Sequence, residues 1–196
     1  MKIYFLIFTD MKLYMIMIGC RPKGRLTEQH DIFFGIGNSL SDLIPQMKSF
    51  WPEAKGKIHI DAWREVTVVN NHTIEVVPKK SEIKSASQLF FINLGGYKEQ
   101  EFEEYHYKIL VASDTLAQAI KTAKTTSFYK HFGFKGATSH IDDKYGLDVD
   151  DVYKVKDILP TLFKEKYELK ITKSEFPVLE DTLHIGYLKL DSLKNN

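Results

Sequence analysis

The chain has 196 residues, of which 43% are hydrophobic and 13% aromatic, so it can bury a core and is not intrinsically disordered. Its 27 basic and 26 acidic side chains leave a net charge of +1, without the excess of positive charge typical of nucleic-acid-binding proteins, and we expect no nucleic-acid partner. Cys20 is the only cysteine, which excludes an intramolecular disulfide and a cysteine zinc cluster and favours a cytoplasmic location.

The N-terminal apolar run predicts a buried central strand over Lys12–Ile18, bounded by Gly19. The basic start and the Gly-Cys pair loosely resemble a lipoprotein signal. Asp10 and Lys12 interrupt the run, however, which leaves too short an apolar stretch for an export signal or a membrane span. We therefore expect no membrane association, and Met11 is a candidate start of the natural chain.

A basic loop follows, with Arg21, Lys23 and Arg25 between Gly19 and Leu26. Glycine lets backbone approach a ligand closely, and guanidinium groups pair with phosphate or carboxylate. The loop therefore predicts an anion-binding site. A solvated hairpin loop is the alternative interpretation.

The next elements are a strand over Gln29–Ile36 and a helix that begins near Ser39. Asp42, three residues after Ser39, completes an approximate capping box. Pro45 predicts either a kink or a helix start just before it. The chain then returns as a strand over residues 57–63 and forms a hairpin around Asn70-Asn71, with strands Val66–Val69 and Thr73–Val77.

The second half repeats the first at an offset of 76 positions, where Glu104 and His106 match Glu28 and His30. When the offset is increased by five residues, His140-Ile141-Asp142 matches His59-Ile60-Asp61. We predict an α+β fold of two ββαβ-plus-hairpin units, largely antiparallel, with helices on one side of the sheets. The expected boundaries are a first repeat at 11–80, a linker at 81–87, a second repeat at 88–160 and an extension with one or two strands at 161–196.

The second repeat predicts a helix over Thr115–Thr125, capped by Ser113 or Asp114. The other predicted strands of this half and of the extension are Leu89–Gly95, Tyr105–Val111, Thr138–Asp142, Tyr153–Ile158, Tyr167–Thr172 and Leu183–Leu190.

Strand alternation places Glu28 and His30 on one face, and His59 and Asp61 on one face of a third strand. If the strands are neighbours, two imidazoles and two carboxylates converge. Such a set can bind a ligand or a divalent metal, or act as acid and base. The alternative is that these side chains satisfy backbone groups near strand ends. Because there is no short metal motif, the sequence assigns no metal ligand and leaves the cofactor open.

Our leading hypothesis is a small anionic ligand bound by the first repeat, with Trp63 as a further wall of the pocket. The candidate contacts are Arg21, Arg25, Glu28, His30, His59, Asp61 and Trp63. Two alternatives stay open: a metal-dependent or histidine-based hydrolase or isomerase, and a protein–protein interaction module. A homodimer is also kept open.

The segments GCRPKGRLTEQHDIFFGIG, SLSDLIPQMKSFWPEA and IHIDAWREVTVV resemble a bacterial family, domain of unknown function 1543. The resemblance is close over Met11–Pro78, weak over Gln88–Pro160 and absent after Thr161. Members of that family carry one or two copies of the domain, which agrees with a divergent second copy. The resemblance implies no activity, cofactor or catalytic residue.

Overall fold

The computed structural model describes residues 11–79, 85–141 and 152–195, and it has the predicted α+β architecture with mostly antiparallel sheets. The strands are β1 (Lys12–Cys20), β2 (Gln29–Gly37), β3 (His59–Glu65), β4 (Val68–Val69), β5 (His72–Pro78), β6 (Gln88–Tyr97), β7 (Glu104–Ser113), β8 (His140–Ile141), β9 (Val152–Lys154), β10 (Tyr167–Lys173) and β11 (His184–Lys189). The helices are α1 (Ile44–Phe50), α2 (Leu116–Ala123), α3 (Ser127–His131), α4 (Val155–Ile158) and α5 (Thr161–Lys166). Short 3-10 turns lie at Ser41–Leu43, Pro52–Ala54 and Leu190–Asn195.

Three sheets carry the fold. The first has the order β11-β3-β1-β2, the second β10-β5-β4, and the third is centred on β6, which pairs with β7 on one edge and with β8 and β9 on the other. β1 lies in the interior of its sheet, antiparallel to both β2 and β3. Its continuous apolar sequence follows from this position, because a central strand covered on both faces exposes neither side to water.

Alternate residues of β1 face two different cores. Leu13 and Met15 pack into a core shared by the three sheets, whereas Tyr14, Ile16 and Ile18 pack against α1. β6 divides its residues in the same way between the shared core and α2. The molecule is therefore layered, with α1 outside the first sheet, α2 outside the third, and the shared core between the sheets.

The two helices that follow the first strand pairs begin differently. Asp42 accepts hydrogen bonds from the backbone N–H groups of Asn38 and Ser39, and α1 starts one residue before Pro45, as predicted. The predicted cap at Ser39 is wrong, because a 3-10 turn without a side-chain cap precedes α1. α2 begins after Thr115, whose hydroxyl accepts from the backbone N–H of Gln118. The predicted caps Ser113 and Asp114 are therefore wrong: the Ser113 hydroxyl donates to the Thr115 carbonyl, and Asp114 accepts from Ser87. No helix in the described residues is long and apolar enough to cross a membrane.

The C-terminal extension returns to the first half of the chain. β10 pairs with β5, and β11 adds an edge strand beside β3. Just before β11, the Asp181 carboxylate ties the extension to the first half of the chain. It accepts hydrogen bonds from the backbone N–H groups of Thr67 and Val68 and from the guanidinium of Arg64. Burial alone would raise the pKa of Asp181, but these hydrogen bonds, with that of the Thr67 hydroxyl, outweigh it and lower the pKa.

One predicted strand is wrong. Within Tyr153–Ile158, only the first two residues lie in a strand, and the chain then forms α4. Val155, Ile158 and Leu159 all pack into the shared core. Their i, i+3, i+4 spacing is that of one helical face, whereas a strand would place residues 155 and 158 on opposite faces. The expected strand Thr138–Asp142 is present only at its centre as β8, and Asp142 lies outside the described residues.

Candidate functional site

The predicted carboxylates and histidines meet at the end of the first sheet. Gly19, near the end of β1, pairs with His30 on β2 and with His59 on β3. Residues opposite each other in adjacent strands point to the same face, so both imidazoles lie over the glycine. Glu28, two residues before His30, lies on that face as well.

The ring nitrogens and carboxylate oxygens of this cluster are close together. His59 Nε2 lies 3.0 Å from Glu28 Oε1 and 3.2 Å from Asp61 Oδ2. His30 Nε2 lies 3.4 Å from the same Asp61 oxygen and 3.9 Å from Glu28 Oε2. Glu28, His30 and His59 each offer a ligand atom within 4.8 Å of the others. Asp61 Oδ2 thus lies close to both histidines, whereas Glu28 has a different oxygen close to each of them.

Gly19 is required for this convergence because it has no side chain. A Cβ at this position would lie 2.4 Å from both Asp61 Oδ2 and His59 Nε2. Contacts this short do not occur between non-bonded atoms, so any larger residue would displace the carboxylate and the imidazole. The cluster occupies the space that a side chain on the central strand would fill.

A β-bulge keeps Asp61 on the cluster's face. Ile18 pairs with Ile60 and Met17 pairs with Ala62, so Asp61 is an extra residue on β3. Bulges turn a side chain away from its regular direction and are common beside functional sites. The result is that Asp61 lies beside His59, while the next residues of β3 continue the pairing with β1.

Burial differs across the cluster. The side chains of His59 and Asp61 are 11% and 20% exposed, whereas those of His30 and Glu28 are 40% and 45% exposed. His59 Nε2 and Asp61 Oδ2 are both fully buried atoms without a hydrogen-bond partner. They are close enough for an ion pair, but the orientation does not meet hydrogen-bond geometry. The inner half of the cluster is therefore buried and unsatisfied, and the outer half faces solvent.

The other predicted contacts lie elsewhere. Arg21 and Arg25 are in an exposed turn, where the Arg21 Nε donates to the Arg25 carbonyl. Trp63 packs on the opposite face of the sheet, toward the α1 core, and stacks on His184 of β11 with ring centroids 3.9 Å apart.

Cys20 is buried on the opposite face from the cluster, in the α1 core. Burial raises the pKa of its thiol, the charge of Glu28 raises it further, and Lys57 acts in the other direction. A thiol with a raised pKa is a poor nucleophile at neutral pH. Cys20 is therefore a packing residue.

Sequence reasoning missed one neighbour of the cluster. The ring of Tyr187 on β11 lies 4.5 Å from that of His59, centroid to centroid. The strand-like pattern of the extension was visible in the sequence, but its pairing with β3 was not, because the two segments are far apart in the chain.

In the second half, Glu104 accepts from the Tyr97 hydroxyl, and the side chain of His140 and all of Asp142 lie outside the described residues.

The comparisons with known proteins find similarity between the segment that contains the cluster and a domain family, and they give no activity. Residues 25–76, which contain Glu28, His30, His59 and Asp61, match the family model described as Domain of Unknown Function (DUF1543). No curated protein matches the chain. The crystal structure of a protein Il1583 from Idiomarina loihiensis is similar, with a TM-score of 0.54 and 21% sequence identity over 92% of this chain and 99% of that chain. At this identity the likeness concerns the fold, and residues 25–76 resemble a domain whose function is unknown.

Proposed function

We propose that the cluster binds a divalent transition metal, with His30, His59 and Asp61 as ligands and Glu28 at its solvent-exposed side. The observation that carries this proposal is the pair of buried atoms, His59 Nε2 and Asp61 Oδ2, which lie 3.2 Å apart and have no hydrogen-bond partner. An unsatisfied buried polar atom is costly, and a cation between two such atoms would remove the cost for both.

The spacing of the ligand atoms supports a tetrahedral ion. Bonds of about 2.1 Å to nitrogen and oxygen set neighbouring ligand atoms about 3.4 Å apart in a tetrahedron. Asp61 Oδ2 lies 3.2 Å from His59 Nε2 and 3.4 Å from His30 Nε2. Two imidazoles and a carboxylate suit zinc and its first-row neighbours better than magnesium or calcium, which prefer oxygen ligands.

Glu28 has a different role in this proposal. Its oxygens lie 3.0 Å from His59 Nε2 and 3.9 Å from His30 Nε2, and its side chain is 45% exposed. A carboxylate at the open side of a three-ligand centre can orient and deprotonate a metal-bound water. Metal-assisted hydrolysis is the reaction class that this arrangement supports.

The test is a zinc titration of metal-free protein, followed by competition with a chelating dye. We expect one ion per chain, and a loss of affinity of at least about tenfold for His30→Ala, His59→Ala and Asp61→Asn. Glu28→Gln should lose less affinity than these three. His131→Ala, at an exposed helix end, is the matched histidine control. Absence of stoichiometric binding, or equal binding by His59→Ala and His131→Ala, would reject the metal centre.

We also propose that the two halves are related units, 11–80 and 88–160, followed by an extension. Matching registers support this: Gly95 on β6 pairs with His106 and His140, as Gly19 on β1 pairs with His30 and His59. The order strand, strand, helix, strand is also common to both halves. Only the first unit retains a cluster among the described residues.

A second function, self-association, is favoured by the outer edge of β11, which pairs with no strand in the described part of the chain. Ile185 and Tyr187 lie on β11 and Leu183 directly precedes it, at alternate positions, and the three are 80%, 64% and 60% exposed. Exposed apolar edge strands readily pair with other chains. Antiparallel pairing of two copies centred on Ile185 would set Leu183 of each copy opposite Tyr187 of the other.

Analytical ultracentrifugation tests this pairing. The wild type should dimerise. Ile185→Lys should be a monomer, because the lysines of the two copies would face and repel each other at the centre of the pairing. Leu162→Lys changes a comparably exposed leucine on α5 and should leave the dimer intact. A wild type that stays monomeric at high concentration would rule the pairing out.

A further inference from the structure

A cavity of about 340 Å³ adjoins the cluster at His59, on the side of β3 where β11 lies and away from β1. It lies between the C-terminal part of α1, the turn before β3 and the end of β11. Its lining residues are Lys48, Gly56, Lys57, Ile58, His59, Tyr187, Lys189, Leu190 and Asp191. The volume suits a small metabolite-sized molecule.

The walls of this cavity carry three lysines from three separate elements. Lys48 belongs to α1, Lys57 to the turn before β3, and Lys189 to β11. None of the three forms an ion pair within the described residues. The carboxylate of Asp191, which also lines the cavity, lies 2.7 Å from the ammonium of Lys194. The cavity therefore holds an excess of positive charge without a protein counter-charge of equal size.

The three lysines line the same cavity as His59, and all three are exposed. Lys189 is directly opposite His59 in the β3–β11 register, so the two side chains share a face. The Lys48 side chain passes over Gly56, whose Cβ position would lie 3.8 Å from Lys48 Cε. The Tyr187 ring packs against the imidazole of His59 and lines the same cavity. Together these groups present several donors around one small volume.

We propose that this cavity binds the phosphate group of a small phosphorylated molecule and holds it at the His59 edge of the metal centre. Three ammonium groups suit a doubly charged phosphate better than a singly charged carboxylate, since lysine recognises phosphate as a point charge. The sequence predicted an anionic ligand from Arg21 and Arg25, and the cavity instead offers lysines. The assignment names the substrate class of the proposed metal centre and so rests on that proposal.

Calorimetry with inorganic phosphate on metal-free protein tests the anion site without reference to the metal. The pocket variant K48A/K57A/K189A should bind phosphate at least about tenfold more weakly than wild type. A control variant removes the same number of charges at exposed lysines elsewhere, by the substitutions K121A, K130A and K173A. The control should bind as wild type does, and acetate should bind wild type more weakly than phosphate. No phosphate binding, or equal binding by the pocket and control variants, would overturn the site.

The link to the metal has a separate readout. Cobalt-loaded wild type should change its visible absorption spectrum when phosphate is added, and the pocket variant should keep its cobalt spectrum but lose the change. Phosphate binding with an unaltered cobalt spectrum would overturn the substrate assignment. If the protein takes up no cobalt, the metal proposal fails, and with it the substrate assignment, while the calorimetric result for the anion site still stands by itself.

Discussion

Gly19→Ala tests the cluster without removing any of its polar groups. The added methyl would lie 2.4 Å from both Asp61 Oδ2 and His59 Nε2, about 1 Å closer than an ordinary contact. Metal ligands tolerate displacements of only about 0.2 Å, so both groups would move out of bonding range of the proposed metal. Changes that only reorient a ligand cost about 10–100-fold in metal affinity, and we expect the loss here to be at the upper end of that range or beyond it.

The substitution should also lower the free energy of unfolding, by about 1–3 kcal/mol, because it overpacks a partly buried site. Gly35→Ala separates this effect from metal binding. Its methyl would meet the Phe33 ring at 2.7 Å and Leu43 at 3.0 Å, on the opposite face of the sheet. Gly35→Ala should therefore lose stability but keep zinc affinity. Zinc titration and urea unfolding of both variants give the answer, and wild-type zinc affinity in Gly19→Ala would refute the close packing of the cluster.

Two further predictions concern ionisable groups outside the cluster. Because hydrogen bonds lower the pKa of Asp181 in the folded state, its stabilising effect is complete at neutral pH and is lost as the pH falls through the folded pKa. Asp181→Asn should lower the free energy of unfolding by about 1–3 kcal/mol at neutral pH and make this free energy, measured by urea unfolding, depend less on pH on the acid side. The control Asp191→Asn, which changes an exposed carboxylate, should alter the free energy of unfolding little. Cys20, buried and with a raised pKa, should resist alkylation by iodoacetamide in the native protein at neutral pH and react fully in denaturant; rapid native labelling would contradict its burial.

Local pattern was enough to predict the α+β class, the central strand β1 and the hairpin at Asn70-Asn71. Both asparagines adopt positive φ, 47° and 61°, which the tight hairpin turn requires and which asparagine tolerates. The predicted strand that became α4 failed for a tertiary reason. So short a run of apolar and polar residues fits either a strand or a helix. The structure forms a helix, in which Val155, Ile158 and Leu159 all reach the shared core.

The site was predicted in part. Period-two alternation correctly placed Glu28 with His30, whereas the sequence left open whether the third strand is their neighbour. The sequence did not indicate the bulge at Asp61, which depends on pairing with β1, or the arrival of β11 beside β3, which depends on a contact over more than one hundred residues. For the same reason, the basic loop was a visible anion motif, while the three lysines of the cavity come from separate elements and share no local pattern.

The position of the second half explains why the cluster is open on one side only. Along β2, the residues on the cluster's face pass from buried Phe34, through half-buried Ile32, to exposed His30. The second half covers the first two, and Phe34 meets Phe91 edge to face with ring centroids 5.4 Å apart. Beyond this contact the same face carries polar residues, because no partner sheet excludes water there. His30 and Glu28 therefore stay exposed, and they form the side through which a ligand can reach the proposed metal.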